Sequence, residues 1–196
     1  MTLSPASWTG ILLAAGRGRR FDPQGVEDKL QQTLPDGHTV ALTAARHLSS
    51  VIKRIVVVVR PDNHALIEAL QRENYEVLVC PDADQGMAAS LTTGLRHTAL
   101  SKGWIIALAD MPFVQSTSIA ALLHELENGA DIVVPVFQGQ RGNPVGFSDK
   151  YLPELMALTG DRGARGLLQR FPVREIPLDD PGILRDIDLP ADLSSR

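Results

Sequence analysis

The sequence predicts an α/β domain built on a mainly parallel sheet. Short, near-continuous apolar runs recur along the chain, and segments with helical spacing lie between them. Strand-then-helix repetition implies right-handed βαβ units, which set the strands parallel and cover the sheet with helices.

The first strand is expected over Ile11-Leu12-Leu13-Ala14-Ala15, led in by Trp8. The others are expected at Ile55–Val59, Val77–Cys80, Trp104–Ala109 and Ile132–Val136. None alternates apolar with polar residues, so each should be covered on both faces. Leu66, Ile67 and Leu70 share a helical face after Pro61-Asp62. Met87, Leu91 and Leu95 recur every four residues, and Ile119, Leu122, Leu123 and Leu126 form a stripe closed by Gly129. All of these apolar residues are expected in the core. Residues 138–196 carry frequent Pro, Gly and Asp, and should complete the sheet and supply loops over its active edge.

At 196 residues, 44% apolar and 21% charged, the chain suits one domain over 1–196. Its net charge of −4 argues against non-specific nucleic-acid binding. Cys80 is the only cysteine, which rules out an intramolecular disulfide or a cysteine-based zinc site and fits a cytoplasmic location. No apolar run approaches the roughly 20 residues that span a bilayer, and Met1–Gly10 lacks the pattern of a signal peptide.

Five segments carry chemistry. The first is Leu13-Ala14-Ala15-Gly16-Arg17-Gly18-Arg19-Arg20-Phe21, followed by Lys29. It follows a strand, where ligands of open α/β sheets bind. Its small residues let backbone amides approach phosphate oxygens, and three arginines and a lysine add charged donors. A turn with solvated arginines is the competing reading. The Gly-Lys-Ser/Thr of a P-loop is absent. A dinucleotide fingerprint would need a glycine where Phe21 stands and an acidic residue near the end of the second strand, where Arg60 stands.

The second segment is Ala109-Asp110-Met111-Pro112, with a carboxylate directly after a buried strand. Mg²⁺ is commonly held by one or two carboxylates plus phosphate oxygens; a helix cap is the alternative for Asp110. The third is Asp186-Ile187-Asp188, whose carboxylates point the same way if the segment is extended and could complete a metal site with Asp110. Exposed surface charge is the plain alternative, and Asp192 is expected to cap a terminal turn. The fourth is Asp84-Gln85-Gly86-Met87-Ala88-Ala89-Ser90, a helix entry where Gln85 and Ser90 could bond a base or ribose. The fifth pairs Gln140–Phe147 with Gly160–Arg165, polar and basic loops that could hold an anionic acceptor or be ordinary loops. The five histidines show no metal spacing and no Ser/His/Asp arrangement.

Taken together, Leu-Ala-Ala-Gly at 13–16 with Arg17–Arg20 and Lys29, Gly86-Met87 with Ser90-Leu91, Asp110-Met111-Pro112, Arg141-Gly142-Asn143-Pro144-Val145, Gly160-Asp161 with Gly163-Ala164-Arg165, and Asp186-Ile187-Asp188 with Pro190 resemble the molybdenum cofactor cytidylyltransferase family, a branch of the MobA-like NTP transferases. The resemblance spans about residues 10–193. It implies a three-layer Rossmann-like nucleotidyltransferase fold with a mainly parallel (mixed) sheet, and transfer of CMP from CTP to the terminal phosphate of molybdopterin. It also implies Lys29, Arg19 and Asp110 as catalytic residues, and Asp110, Asp186 and Asp188 as Mg²⁺ ligands. Ala14, Ala15, Gly16, Arg17, Gly18, Arg20, Gly86 and Ser90 would bind nucleotide, with Ala15 favouring cytosine; Arg141 and Asn143 would face the acceptor. A molybdoenzyme or its chaperone would be the onward partner. Two departures stand out: Arg20-Phe21-Asp22 replaces the family's Arg-Met-Gly, and Asp22–Asp28 lengthens the approach to Lys29. Other acceptors on the same fold, a nicotinamide-dependent oxidoreductase and a non-catalytic pterin-binding factor are the competing functions.

Overall fold

Strand β1 (Trp8–Ala14) explains the unbroken apolar run near the start of the chain. Ile11 and Leu13 pack into one hydrophobic cluster, while Leu12 and Ala14 pack into another. Successive side chains of a strand point to opposite faces, so a strand covered on both must be apolar throughout. Val56 and Val58 repeat the division against Val57 and Val59 in β2 (Arg54–Val59). The computed structural model describes residues 7–24, 26–161 and 163–194; Arg162, one of the expected acceptor-loop residues, lies outside them.

Helix α1 (Val40–Ser49) joins these two strands, and α2 (His64–Arg72) leads from β2 to β3 (Glu76–Val79). Then follow α3 (Met87–His97), β4 (Gly103–Leu108), α4 (Ser116–Glu127) and β5 (Ile132–Phe137). The remainder forms β6 (Gln140–Arg141), β7 (Val145–Ser148), α5 (Leu152–Met156), α6 (Arg165–Arg170) and β8 (Arg174–Pro177). The eight-stranded sheet runs β3-β2-β1-β4-β7-β5-β6, with β8 also paired to β5. β1 is parallel to β2 and β4, β2 to β3, and β5 to β8, while β7 is antiparallel to β4 and β5. Leu48, Leu66, Leu70 and Leu122 from α1, α2 and α4 pack in one cluster; Leu91, Leu95, Leu155 and Leu167 from α3, α5 and α6 pack in the other. This is the three-layer mixed α/β architecture expected.

Three expectations need correction, and one helix is added. The segment Val145–Phe147, read as a polar loop, is instead a buried strand; Phe147 is fully buried there and sits in register with Trp104. Helix α1 is an addition to the expected helices. Its inner face is Ala41, Ala44, Ala45 and Leu48, a helical spacing built mostly from alanine and therefore quiet in a pattern keyed to large apolar residues. Met87 and Val79 are not core residues: both are exposed, because α3 begins and β3 ends at the sheet's open edge. Among the described residues no helix is long and apolar enough to cross a membrane.

Candidate active site

A cleft of about 330 Å³ opens at the carboxyl edge of the sheet. Ala14, Gly16, Arg17, Gly18, Arg19 and Arg20 line it together with Lys29, Asp110 and Asp188. Ala15 is buried beneath the loop. Gly18 has φ +61°, a conformation glycine adopts without a Cβ penalty. Its carbonyl accepts from the amides of Phe21 and Asp22 at 2.9 and 3.1 Å, and buried Phe21 anchors the turn in the core.

The lengthened segment before Lys29 is folded by its own carboxylates. Asp22 accepts from the amides of Gln24, Val26 and Glu27 at 2.8, 2.6 and 2.7 Å. Asp28 caps a 3₁₀ turn over Lys29–Gln31, accepting from the amide of Leu30 at 3.0 Å. Asn63, itself the cap of α2, donates to Asp28 Oδ2 at 2.5 Å. Asp22, Asp28 and Asn63 thus fix Lys29, and only their Asx-turn and cap residue types could have signalled it in the sequence.

Asp110 follows β4, and Asp186 and Asp188 reach it from the C-terminal segment. Oxygens of all three lie within 4.8 Å of one another. Lys29 Nζ bridges two of them, 2.6 Å from Asp110 Oδ2 and 3.3 Å from Asp188 Oδ1. Arg20 pairs with Asp188 Oδ2 at 2.5 Å. Partial desolvation, followed by the nearby charges of Asp188 and Asp110, raises the Asp186 carboxyl from its ordinary value. Three hard oxygen donors beside a phosphate-type loop suit a divalent cation that shares its coordination with phosphates. The group therefore could hold such an ion.

Other expected site residues are placed elsewhere. Gly86 starts α3 with φ +111°, and a Cβ there would lie 2.5 Å from Asp161 Oδ1, so the 160–161 turn rests directly on it. The Gly160 carbonyl accepts from Ala88 N at 3.0 Å. Ser90 is buried within α3, and Gln85 donates to Asp82. Arg141 lies on β6 and donates to Glu175 at 2.7 Å and to the Leu168 carbonyl at 3.1 Å. Asn143 precedes a cis proline, and its amide donates to Ile183 at 2.9 Å. Neither Arg141 nor Asn143 lines the cleft. A larger cavity, about 770 Å³, includes Trp8, Lys53, Lys102 and Lys150 and faces the opposite, amino edge of the sheet. It is remote from the acidic group, and volume alone does not make it the reactive site.

Residues 10–175 match the model of the MobA-like NTP transferase domain. The chain belongs to the MobA-like NTP transferases. Among curated proteins, this MobA-like chain is 30% identical to the purine catabolism protein PucB of Bacillus subtilis, over 92% of its own length and 91% of the relative's. It is 26% identical to a nicotine blue oxidoreductase of Paenarthrobacter nicotinovorans, with 92% and 91% covered. It is 24% identical to a probable molybdenum cofactor guanylyltransferase of Bacillus cytotoxicus, with 83% and 79% covered. Rv0371c of Mycobacterium tuberculosis superposes with a TM-score of 0.82 at 26% identity, covering 95% of this chain and 96% of that one.

Proposed function

We propose that this MobA-like transferase moves CMP from CTP to the terminal phosphate of molybdopterin or a closely similar phosphorylated acceptor, releasing pyrophosphate. The carrying observation is the convergence of the 14–20 loop, Lys29, Asp110 and Asp188 on one cleft, with the Asp186 carboxylate beside the two acids. The reading takes residues 1–196 as a single domain and its setting as cytoplasmic, with a molybdoenzyme or its chaperone receiving the product.

The chemistry asks mainly for positioning and charge neutralisation. An acceptor phosphate oxygen attacks the α-phosphorus. A new P–O bond forms as the α–β bridging bond breaks, and its electron pair leaves with pyrophosphate. Gly16 and Gly18 admit the triphosphate close to the backbone. Lys29, paired with Asp110 and Asp188, and Arg20, paired with Asp188, have reach toward phosphate oxygens, and Arg19 adds a further guanidinium. Mg²⁺, held by Asp110, Asp186 and Asp188, would supply Lewis-acid neutralisation of phosphate charge.

Ala15 favours CTP, whereas likeness to a guanylyltransferase favours GTP as the second reading. The test is acceptor-dependent pyrophosphate release from CTP, GTP, ATP and UTP with purified molybdopterin. Release from CTP above the other three supports the proposal. Release from GTP alone moves the base, and release that ignores molybdopterin moves the acceptor.

A further inference from the structure

Arg17 sits in the phosphate loop, yet its guanidinium is already engaged. Nε and Nη2 donate to the two oxygens of Asp84 at 2.5 and 2.6 Å, a fork-to-fork contact. Nη1 lies 3.6 Å from Asp62. Asp62 pairs with Arg60 Nε at 3.0 Å, and Arg60 Nη1 donates to the main-chain carbonyl of Gly16 at 3.1 Å. The contacts close on themselves, from Gly16 through Arg60 and Asp62 to Arg17, the residue next to Gly16. Three turns contribute, those following β1, β2 and β3. Two guanidiniums face two carboxylates, so the group is electrically neutral. Arg19, two residues further along the loop, acts on Asp84 through its charge, with no hydrogen bond between them.

We propose that Arg60, Asp62 and Asp84 are positioning residues that act through Arg17, and that Arg17 is a strut of the phosphate loop rather than a phosphate ligand. The proposal rests on the nucleoside-triphosphate reading of the cleft. A loop with glycines at 16 and 18 has much backbone entropy to lose when a ligand orders it. Contacts that fix the loop beforehand remove that cost from the binding step. Arg17 and Asp84 are exposed, and exposed ion pairs contribute little to global stability. The effect of the strut therefore falls on affinity and not on folding. Phosphate charge is left to Arg19, Arg20 and Lys29.

The experiment is calorimetric titration with Mg-CTP and with inorganic tripolyphosphate. It compares wild type, Arg17→Ala, Asp84→Ala, the double variant and the exchanged pair Arg17→Asp/Asp84→Arg, alongside their melting temperatures and steady-state kinetics. A strut predicts that each single variant weakens binding about tenfold, as lost preorganisation does. It also predicts that the double variant is no worse than either single variant. The exchanged pair recovers most of the affinity, the single variants raise KM more than they change kcat, and the melting temperatures stay together. If Arg17→Ala loses binding while Asp84→Ala binds as wild type or tighter, Arg17 is a phosphate ligand and the proposal is wrong. Wild-type protein that binds neither probe overturns the triphosphate reading itself and the strut with it.

Discussion

The amide of Ile187 donates to the main-chain carbonyl of Asp110 at 2.8 Å. Ile187 is fully buried, and its neighbours on either side, Asp186 and Asp188, present their carboxylates to that of Asp110. One backbone hydrogen bond and one buried side chain thus bring together acids about 76 positions apart in the sequence. Lys29 completes the group from a third segment.

Replacing Lys29 by Met should leave Asp110 without its cation, with Arg20 still paired to Asp188. Removing one partner from a partly buried ion pair costs roughly 1–3 kcal/mol here, discounted for the access that water keeps. The melting temperature of Lys29→Met should fall, and added Mg²⁺ should recover more of it than it adds to wild type, because the ion replaces the missing charge. Equal gains in both proteins would separate Lys29 from the metal group.

Asp180 ties the C-terminal segment to the start of α4. Its buried carboxylate accepts from the amides of Gln115 and Gly182, both at 2.9 Å, and from the hydroxyl of Ser118 at 2.6 Å. Asp180→Ala strands these donors and should destabilise the fold by about 3 kcal/mol in urea unfolding. A change under about 0.5 kcal/mol, the size of an ordinary surface substitution, would mean the tail does not depend on this contact.

The turn beyond Asp188 should be acid-sensitive. Hydrogen bonds from the amides of Leu189 and Asp188 hold the Asp192 carboxyl below its ordinary 3.8. A depressed carboxyl stabilises the fold above its ordinary pKa and loses that contribution as pH falls through the folded-state value. Asp192→Ala should therefore melt lower than wild type at pH 7, by roughly 2–4 °C for an exposed interaction of about 1 kcal/mol. The gap should begin to narrow as pH falls below 3.8 and close once the folded-state carboxyl is protonated. A gap that does not narrow at all as pH falls below 3.8 would assign the loss to packing.

Much of this was legible in the sequence because the strands of the parallel part are buried on both sides. Leu12 and Val57 face one layer, Ile11 and Val56 the other, and the runs they form stand out. Asp110 and the Asp186/Asp188 pair were legible for a related reason, since period-2 alternation puts two acids on one side of an extended segment. What sequence reading could not supply was long-range pairing. Nothing local marks Asp84 as the partner of Arg17, 67 residues away, or ties Arg141 to Glu175. Strand β7 was hidden because Val145-Gly146-Phe147 follows Gly, Asn and Pro, turn residues that mask a short strand.

The acidic group and the phosphate loop should act together on one metal-bound nucleoside triphosphate. The direct measurement is calorimetric titration of wild type and Asp110→Asn with CTP, with and without Mg²⁺, paired with turnover. Mg²⁺ should tighten CTP binding to wild type, Asp110→Asn should lose that gain, and turnover should drop at least about 100-fold, as expected for loss of a transition-state electrostatic group. CTP binding indifferent to Mg²⁺, or an Asp110→Asn protein with near-normal turnover, would remove Asp110 from nucleotide and metal binding.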